Sequence, residues 1–539
     1  MGSKIIKLIL FCLLALCVSI PCHASNIPLV RVGISDTNFK KLVYNEISVI
    51  ATDSFGIYDK KNSAKIANFA KDDIIRFIYK NGKFDIERNG QVIAKNFSGT
   101  IIVHSPNGVL GIDGLKRKSK QALYHGIFEL TPRNDREFFV VNILDLQEYL
   151  KGVVPNEMPV AFGLEALKAQ AVAARNYVLM PRTRAYKEFD VDDSVASQVY
   201  FGANTESSLS TQAVNETMGL VALYDNDLIL AQYCSTAGGY TEDYSNAFSD
   251  NKLKIFPAHP KPYLKGRPDI LNVGTLDTEE AARKYYTTKP QSYDINSPYY
   301  RWIREFEKTE LETILKKTLN TQSKTGFVYP FFSENQDFGE LKELRVLKRG
   351  VSGKIMEMEI VSTKGTWKVS KELIVRRVFQ KNGAALPSAN VVFDYDGETI
   401  TAYGGGFGHG VGMSQFGAGF MGKSLNKKFD EILKRYYTGI TISTVPQTLG
   451  NEPVSVSFYA PHKKAHLVVD NPFGIKTLIA NINGENVVIN LEKKIFQTEL
   501  RIDISKYIKK GINDITFKFP TYEYGKHIKL YVELVEKDD

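Results

Sequence analysis

Val153-Val-Pro-Asn-Glu157-Met-Pro159, followed by Leu164-Glu-Ala-Leu-Lys-Ala-Gln-Ala-Val-Ala-Ala-Arg-Asn-Tyr-Val-Leu179, marks where this 539-residue chain changes character. The second piece has the helical period, with Leu167, Ala171, Ala174 and Val178 on one stripe. The first piece sets a carboxylate between Pro155 and Pro159, beside Met158 and just ahead of that helix. Prolines stiffen such a turn and fix the direction of the side chain. An apolar neighbourhood raises a glutamate pKa and suits it to general-acid work. Taken alone, a glutamate ahead of a helix is more often a solvated or capping residue. Lys168 and Arg175 are seven residues apart on the helix, so they share a face roughly 10 Å apart along the axis. A cation at the border of an apolar stripe usually snorkels to solvent. Two on one line can instead hold an acid or an anionic ligand at a cleft.

Working outward, residues 26–140 read as mostly strands. Val30–Ile34, Ile47–Ile50 and Gly99–Val103 are short β-rich runs. Asn81-Gly82 and Asn89-Gly90 read as hairpin turns, and Phe138–Ile143 as a buried strand. Glu216 to Ile229 reads as a short helix or turn and then a strand. Residues 251–300 look irregular, Thr309–Leu319 helical, 340–402 β-rich again and Phe429–Tyr437 a short amphipathic helix. From 449 onward the chain reads as a separate all-β, sandwich-like module of regular short strands, with a hairpin turn at Asn483-Gly484.

Length and composition set the bounds. At roughly 150 residues per domain the chain holds about three or four domains. Hydrophobic residues at 43% and charged residues at 24% exclude a disordered chain and a membrane bundle. The net charge of +9 is mild for this length and suits a polyanionic surface, cell wall or nucleic acid, without choosing between them. Lys4 and Lys7 precede an uncharged apolar run from Leu8 to Ile20, and Pro21-Cys22-His23-Ala24 follows. This predicts a secretory signal peptide, residues 1–24, cut after Ala24; an uncleaved anchor is the alternative. No later run is long and apolar enough to span a bilayer. Removing the leader takes Cys12, Cys17 and Cys22 with it, so Cys234 is left without an internal partner, and a small buried thiol is its expected role.

Two further stretches carry polar groups among small residues. Gln232-Tyr-Cys-Ser-Thr-Ala-Gly-Gly-Tyr240 makes an open loop in which Ser235 is the candidate contact; an ordinary strand exit is the bland reading. Gly404 to Gly422 holds nine glycines among 19 residues, with His409, Ser414 and Gln415 as its polar groups. So much backbone freedom argues for close approach or unusual dihedrals; a tight loop under a strand is the alternative. Gly417 to Ser424 matches the phosphate-loop pattern, but no apolar strand leads into it and an exported chain meets no ATP, so the match is read as accidental. There is no HExxH or CxxC, and the histidines are scattered.

Together these segments resemble the SpoIID/LytB family, the stage II sporulation protein D and amidase-enhancer proteins. The matching pieces are Leu146–Pro159, Leu164–Tyr177, Ser197-Gln-Val-Tyr200, Ser235–Glu242, Ser297–Trp302, Leu386-Pro-Ser388 and Gly408-His-Gly-Val-Gly-Met-Ser-Gln-Phe-Gly417, in consistent order across about residues 30–445. The resemblance implies an α+β protein. Its SpoIID-like catalytic core spans 141–448, between a β-rich N-terminal region over 25–140 and the sandwich-like module over 449–539. It implies a peptidoglycan lytic transglycosylase that cleaves between N-acetylmuramic acid and N-acetylglucosamine and leaves a 1,6-anhydro end. The family's catalytic acid maps onto Glu157, an activity-linked arginine onto Arg175, and Lys168 lies in the same helix motif. Tyr200, Ser235, His409, Ser414 and Gln415 are extrapolated as substrate-binding. One carboxylate suffices for that chemistry, because the tethered C6 hydroxyl replaces a positioned water. Some members hold zinc through a His-Cys pair ahead of Gln-Val-Tyr. Ala196 and Ser197 stand there in this chain, so no metal and no cofactor is expected. Glycan strands, and an N-acetylmuramoyl-L-alanine amidase if the chain follows the enhancer branch, are the implied partners, with no nucleic acid; the expected location is the periplasm or cell-wall space.

Overall fold

The computed structural model describes residues 28–180, 186–250, 253–270, 272–470, 475–491, 498–521, 523 and 525–535. The expected leader, residues 1–24 with three cysteines and its expected cleavage point, lies outside the described residues. Among those described, no helix is long and apolar enough to cross a membrane.

The architecture mixes helices with several sheets. Two antiparallel sheets form the N-terminal region. One runs 29–33, 138–145, 127–132, 101–104, 55–59 and 65–69 in spatial order, with the short strand Val191–Asp192 added in parallel at its edge. The other runs 120–124, 110–117, 46–51, 75–80, 83–88 and 91–97. Alternation does the folding: in Ile75–Lys80 every second residue is buried, and Val32, Ile57, Val103 and Phe128 of one sheet share a core with Val49, Phe77 and Phe84 of the other. Both hairpin turns are present, with Asn81, Gly82, Asn89 and Gly90 all at positive φ.

Strand Phe138–Asp145 runs directly into helix Leu146–Glu157, capped by Asp145, whose Oδ1 accepts from the Gln147 N–H at 2.6 Å. This corrects one reading. Val153–Glu157 is the end of a helix rather than a stiff turn, and Pro155 lies inside it. Pro155 takes one N–H from the last turn, and that turn is tied down beside it: Gly152 O accepts from Asn156 Nδ2 at 2.7 Å and from Phe201 N at 3.3 Å. A 3-10 turn at Val160–Phe162 leads to helix Leu164–Leu179. That helix is buried continuously from Ala166 to Asn176, so it is a central strut and not the amphipathic surface helix its stripe suggested.

Neither of the expected outer boundaries coincides with a break in the sheets. Residue 140 falls inside strand Phe138–Asp145. Beyond 448, one sheet runs through strands 227–228, 220–224, 441–444, 528–534, 465–470 and 499–503, so the central region and the C-terminal module share it. Its second layer, strands 454–460, 511–518, 477–482 and 485–490, completes the sandwich. Residues 302–404 form a unit with its own core, built on Phe306, Leu311, Leu315, Trp367 and Val369 from two small sheets and the helices Lys308–Ser323 and Glu372–Val378.

Candidate functional site

Glu157 ends its helix with a partly buried carboxyl. The Val199 N–H donates to its Oε1 at 2.6 Å, and the Tyr233 hydroxyl hydrogen-bonds the same carboxyl. Burial pushes the Glu157 pKa up to about 7, against the two hydrogen bonds, which favour the charged form. No charged neighbour contributes to that shift among the described residues. Behind the carboxyl, Gln198 donates from Nε2 to Tyr233 Oη at 3.2 Å and accepts from Tyr149 Oη at 3.0 Å. Gln198 is fully buried, so both neighbouring tyrosines are held by an amide that cannot swing away.

The glycine-rich segment joins this group through the same tyrosine. Strand Tyr233–Cys234 pairs in parallel with Met413–Ser414, and the His409 ring hydrogen-bonds the Tyr233 main chain. His409 Nδ1 accepts from the Val411 N–H at 3.1 Å, and Phe248 packs against the ring. Burial, helped by the positive charges of Lys354 and Arg376, pushes the imidazole pKa down to about 3, so the ring is neutral at physiological pH. The approach of the two strands explains a glycine: Gly412 has φ +72°, and a Cβ there would meet Gln232 O at 2.1 Å.

The segment from Gln415 to Ser424 is helical, so the alternative of a tight loop does not hold there, while Gly406, Gly408, Gly410 and Gly412 ahead of it take the expected unusual dihedrals at positive φ. Ser414 caps this helix, and Gly417 fits because a Cβ there would lie 1.9 Å from the Tyr436 hydroxyl. The phosphate-loop match therefore falls on a helix interior packed under Tyr436. The 302–404 unit is tied to the same place by Glu242. Its carboxylate accepts from Val351 N at 3.1 Å and Ser352 Oγ at 2.6 Å, while its own N–H donates to Gly410 O at 2.8 Å.

Of the residues singled out from sequence, Glu157 and His409 both bond Tyr233, the first through its hydroxyl and the second through its main chain. Ser235 is partly buried, with its hydroxyl 3.5 Å from Thr236 Oγ1. Four others lie in the interior, where a glycan cannot touch them. Tyr200 is 1% exposed, donates to Asn142 Oδ1 at 2.8 Å and stacks near Tyr149. Ser414 donates to the buried Asp294 Oδ1 at 2.5 Å. Gln415 bonds Gln170 at 3.2 Å. Arg175 donates to Leu220 O at 2.8 Å and Gln147 Oε1 at 3.0 Å, and burial alone lowers its pKa to about 9. Its guanidinium holds the central helix to strand Leu220–Tyr224 and to the start of helix Leu146–Glu157. Lys168 does not snorkel; its ammonium sits 3.0 Å from Glu165 and 2.6 Å from Glu216 and faces a different cleft. Cys234 is buried and its thiol is pushed up to about 12, an inert group.

Sequence reasoning passed over Tyr233, Gln198 and the Val199 N–H. Tyr233 and Gln198 stood inside quoted stretches, but nothing in their spacing shows that they meet Glu157. One group with ligand-like chemistry also escaped it: His125 Nε2 lies 3.0 Å from Glu206 and 3.7 Å from Glu148. Lys151 bonds Glu148 at 2.6 Å, and the Glu206 hydrogen bond raises the His125 pKa, so the group is satisfied as an ion-pair network at the far end of the Glu157 helix.

The fold and site define a protein of mixed helices and sheets in which a desolvated carboxyl at a helix end bonds the Tyr233 hydroxyl, while a neutral histidine of the glycine-rich segment bonds the Tyr233 main chain. The family model for SpoIID, stage II sporulation protein, matches residues 134–224, and a domain of unknown function (DUF8618) matches 250–412. Stage II sporulation protein D of Bacillus subtilis is 32% identical over 319 residues, 56% of this chain and 76% of that protein. The amidase enhancer of the same organism is 30% identical over 307 residues, 55% of this chain and 40% of that protein. An uncharacterised protein of Brachyspira hyodysenteriae is 29% identical over 322 residues, covering 72% of that protein. The chain belongs to the SpoIID family.

Proposed function

We propose that this protein is a peptidoglycan lytic transglycosylase with Glu157 as its only acid–base group. Family membership supports a role at the cell wall, and the state of Glu157 supports the chemistry. A carboxyl with a pKa near 7 is largely protonated just below neutrality, yet it is basic enough to take a proton back. Glu157 protonates the glycosidic oxygen as the bond to the muramic acid C1 breaks. The C6 hydroxyl of the same sugar then closes on C1 and returns its proton to Glu157. The Val199 N–H and the Tyr233 hydroxyl stabilise the carboxylate between these two steps. A hydrolase of the two-carboxylate kind places its second carboxylate about 5–9.5 Å away. Closure by the tethered C6 hydroxyl needs no such second group.

The test is direct. Purified protein is incubated with glycan strands stripped of stem peptides, and the products are read by mass spectrometry. Anhydromuramyl ends from the wild type and none from Glu157→Gln are the expected result. The likeness to an amidase enhancer favours a second reading, in which the chain binds glycan and stimulates an amidase without cleaving. Binding without product, together with faster cleavage by an added N-acetylmuramoyl-L-alanine amidase, identifies that case.

A further inference from the structure

Lys168 turns away from the Glu157 group and into a cleft of about 930 Å³. One wall is the central region: Glu165 and Lys168 of the central helix, Glu216, and Lys428 to Lys434 around helix Phe429–Tyr436. The other wall is the C-terminal sandwich, which contributes Tyr459, Pro461 and Lys510. The volume lies in the range of ordinary ligand sites, about 300–1,000 Å³.

The lining has a particular chemistry. The Lys168 charge is cancelled by Glu165 and Glu216. Lys428 and Lys510, both exposed and on opposite walls, make no contact ion pair among the described residues, though Lys510 acts at longer range on Glu216 and Lys428 on Glu431. Tyr459 and Pro461 add a partly buried apolar surface between them. A dense polyanion such as nucleic acid would meet Glu216, Asp430 and Glu431 at close range and be repelled. A sugar chain carrying widely spaced carboxylates suits the cleft better. Carboxylates accept from sugar hydroxyls, an aromatic face covers the sugar ring, and the two exposed ammonium groups meet the acid groups of the ligand.

We propose that this cleft is a second glycan-binding site, which holds stem-stripped strand through the lactyl carboxylates of its muramic acid residues at Lys428 and Lys510. The proposal rests on the peptidoglycan reading above and adds to it a point of attachment away from the reacting bond. It also gives the C-terminal module a task, because the site is incomplete without Tyr459 and Lys510.

The experiment measures binding, not cleavage, in full-length Glu157→Gln, so its outcome is independent of whether Glu157 is catalytic. Stem-stripped glycan oligomers are titrated calorimetrically into this protein and into Glu157→Gln carrying Lys428→Glu and Lys510→Glu. The charge reversals are expected to weaken binding at least tenfold, and Tyr459→Ala severalfold. Chitin oligomers of equal length, which lack the lactyl carboxylate, should bind at least tenfold more weakly and ignore the charge reversals. Both lysines are exposed, so the variants should fold, which circular dichroism and the melting temperature check. Equal binding of chitin and muramic oligomers, or equal binding by the charge-reversed protein, overturns the proposal. So does an amidase that competes with no glycan yet loses its grip on the charge-reversed cleft. If the wild type forms no anhydro ends while these binding differences hold, the catalytic reading fails and the glycan cleft stands.

Discussion

The main-chain N–H of Val199 lies 2.6 Å from Glu157 Oε1, a contact across 42 residues of sequence that joins the end of a helix to the Ser-Gln-Val-Tyr segment. A fixed dipole stabilises the carboxylate without adding a positive charge, and burial keeps the group close to neutrality. Arg175, expected from the family resemblance to be linked to activity, is spent elsewhere on Leu220 and Gln147.

Tyr233→Phe should move the pH profile. The Tyr233 hydroxyl favours the charged form of Glu157, so its removal raises the carboxyl pKa further. The alkaline limb of kcat/KM for anhydromuramyl release should shift above its wild-type position near pH 7. A shift to lower pH, or none with full folding retained, would show that the hydroxyl does not act on this carboxyl.

Glu157→Gln should stabilise the protein at alkaline pH. The folded carboxyl titrates near 7 against an ordinary 4.5, so the native state binds the proton more tightly and wild-type stability falls as pH rises through that window. At pH 8 the variant should gain on the order of 1–3 kcal/mol, after discounting for the partial exposure of the group. Below pH 4.5 the difference should vanish. Urea denaturation at both pH values checks the sign.

Arg175→Lys should act on stability. Lysine keeps the charge but cannot bridge Leu220 O and Gln147 Oε1 as the guanidinium fork does. A loss of about 2–4 kcal/mol follows from two charge-assisted hydrogen bonds in the interior. Any fall in activity should track the folded fraction, with KM retained. A raised KM in fully folded protein would instead place Arg175 on the substrate.

Gly412→Ala should loosen the strand pair beneath His409. The added Cβ meets Gln232 O at 2.1 Å from a backbone at φ +72°. Strain of this kind costs at least about 2 kcal/mol. The His409 imidazole signal, neutral throughout the physiological range in the wild type, should become titratable near neutral pH when its packing opens. NMR of the ring reads this directly.

Much of the local structure was legible. The Asn-Gly turns, helix Leu164–Leu179, and the strands on both flanks follow from period and turn chemistry. The Pro-rich turn was misread because Pro155 looks like a breaker when nothing along the chain shows that Asn156 and Phe201 tie down the last helical turn through Gly152 O. The glycines after Ser414 suggested a loop because their purpose, making room for Tyr436, lies in another helix. Tyr200, Ser414 and Gln415 were picked for their polar groups, but each group is already paired inside the protein.

Read alone, the chain order determined the family resemblance, the mixed helix-and-strand character and the choice of Glu157, since these rest on residue types and spacings along the backbone. Only tertiary structure decided what surrounds that glutamate. Whether a carboxyl is dry, which hydroxyl it meets, and whether an arginine faces a ligand or a carbonyl all depend on segments far apart in sequence. Those contacts set the desolvation and hydrogen bonding that hold Glu157 near neutrality at the end of its helix.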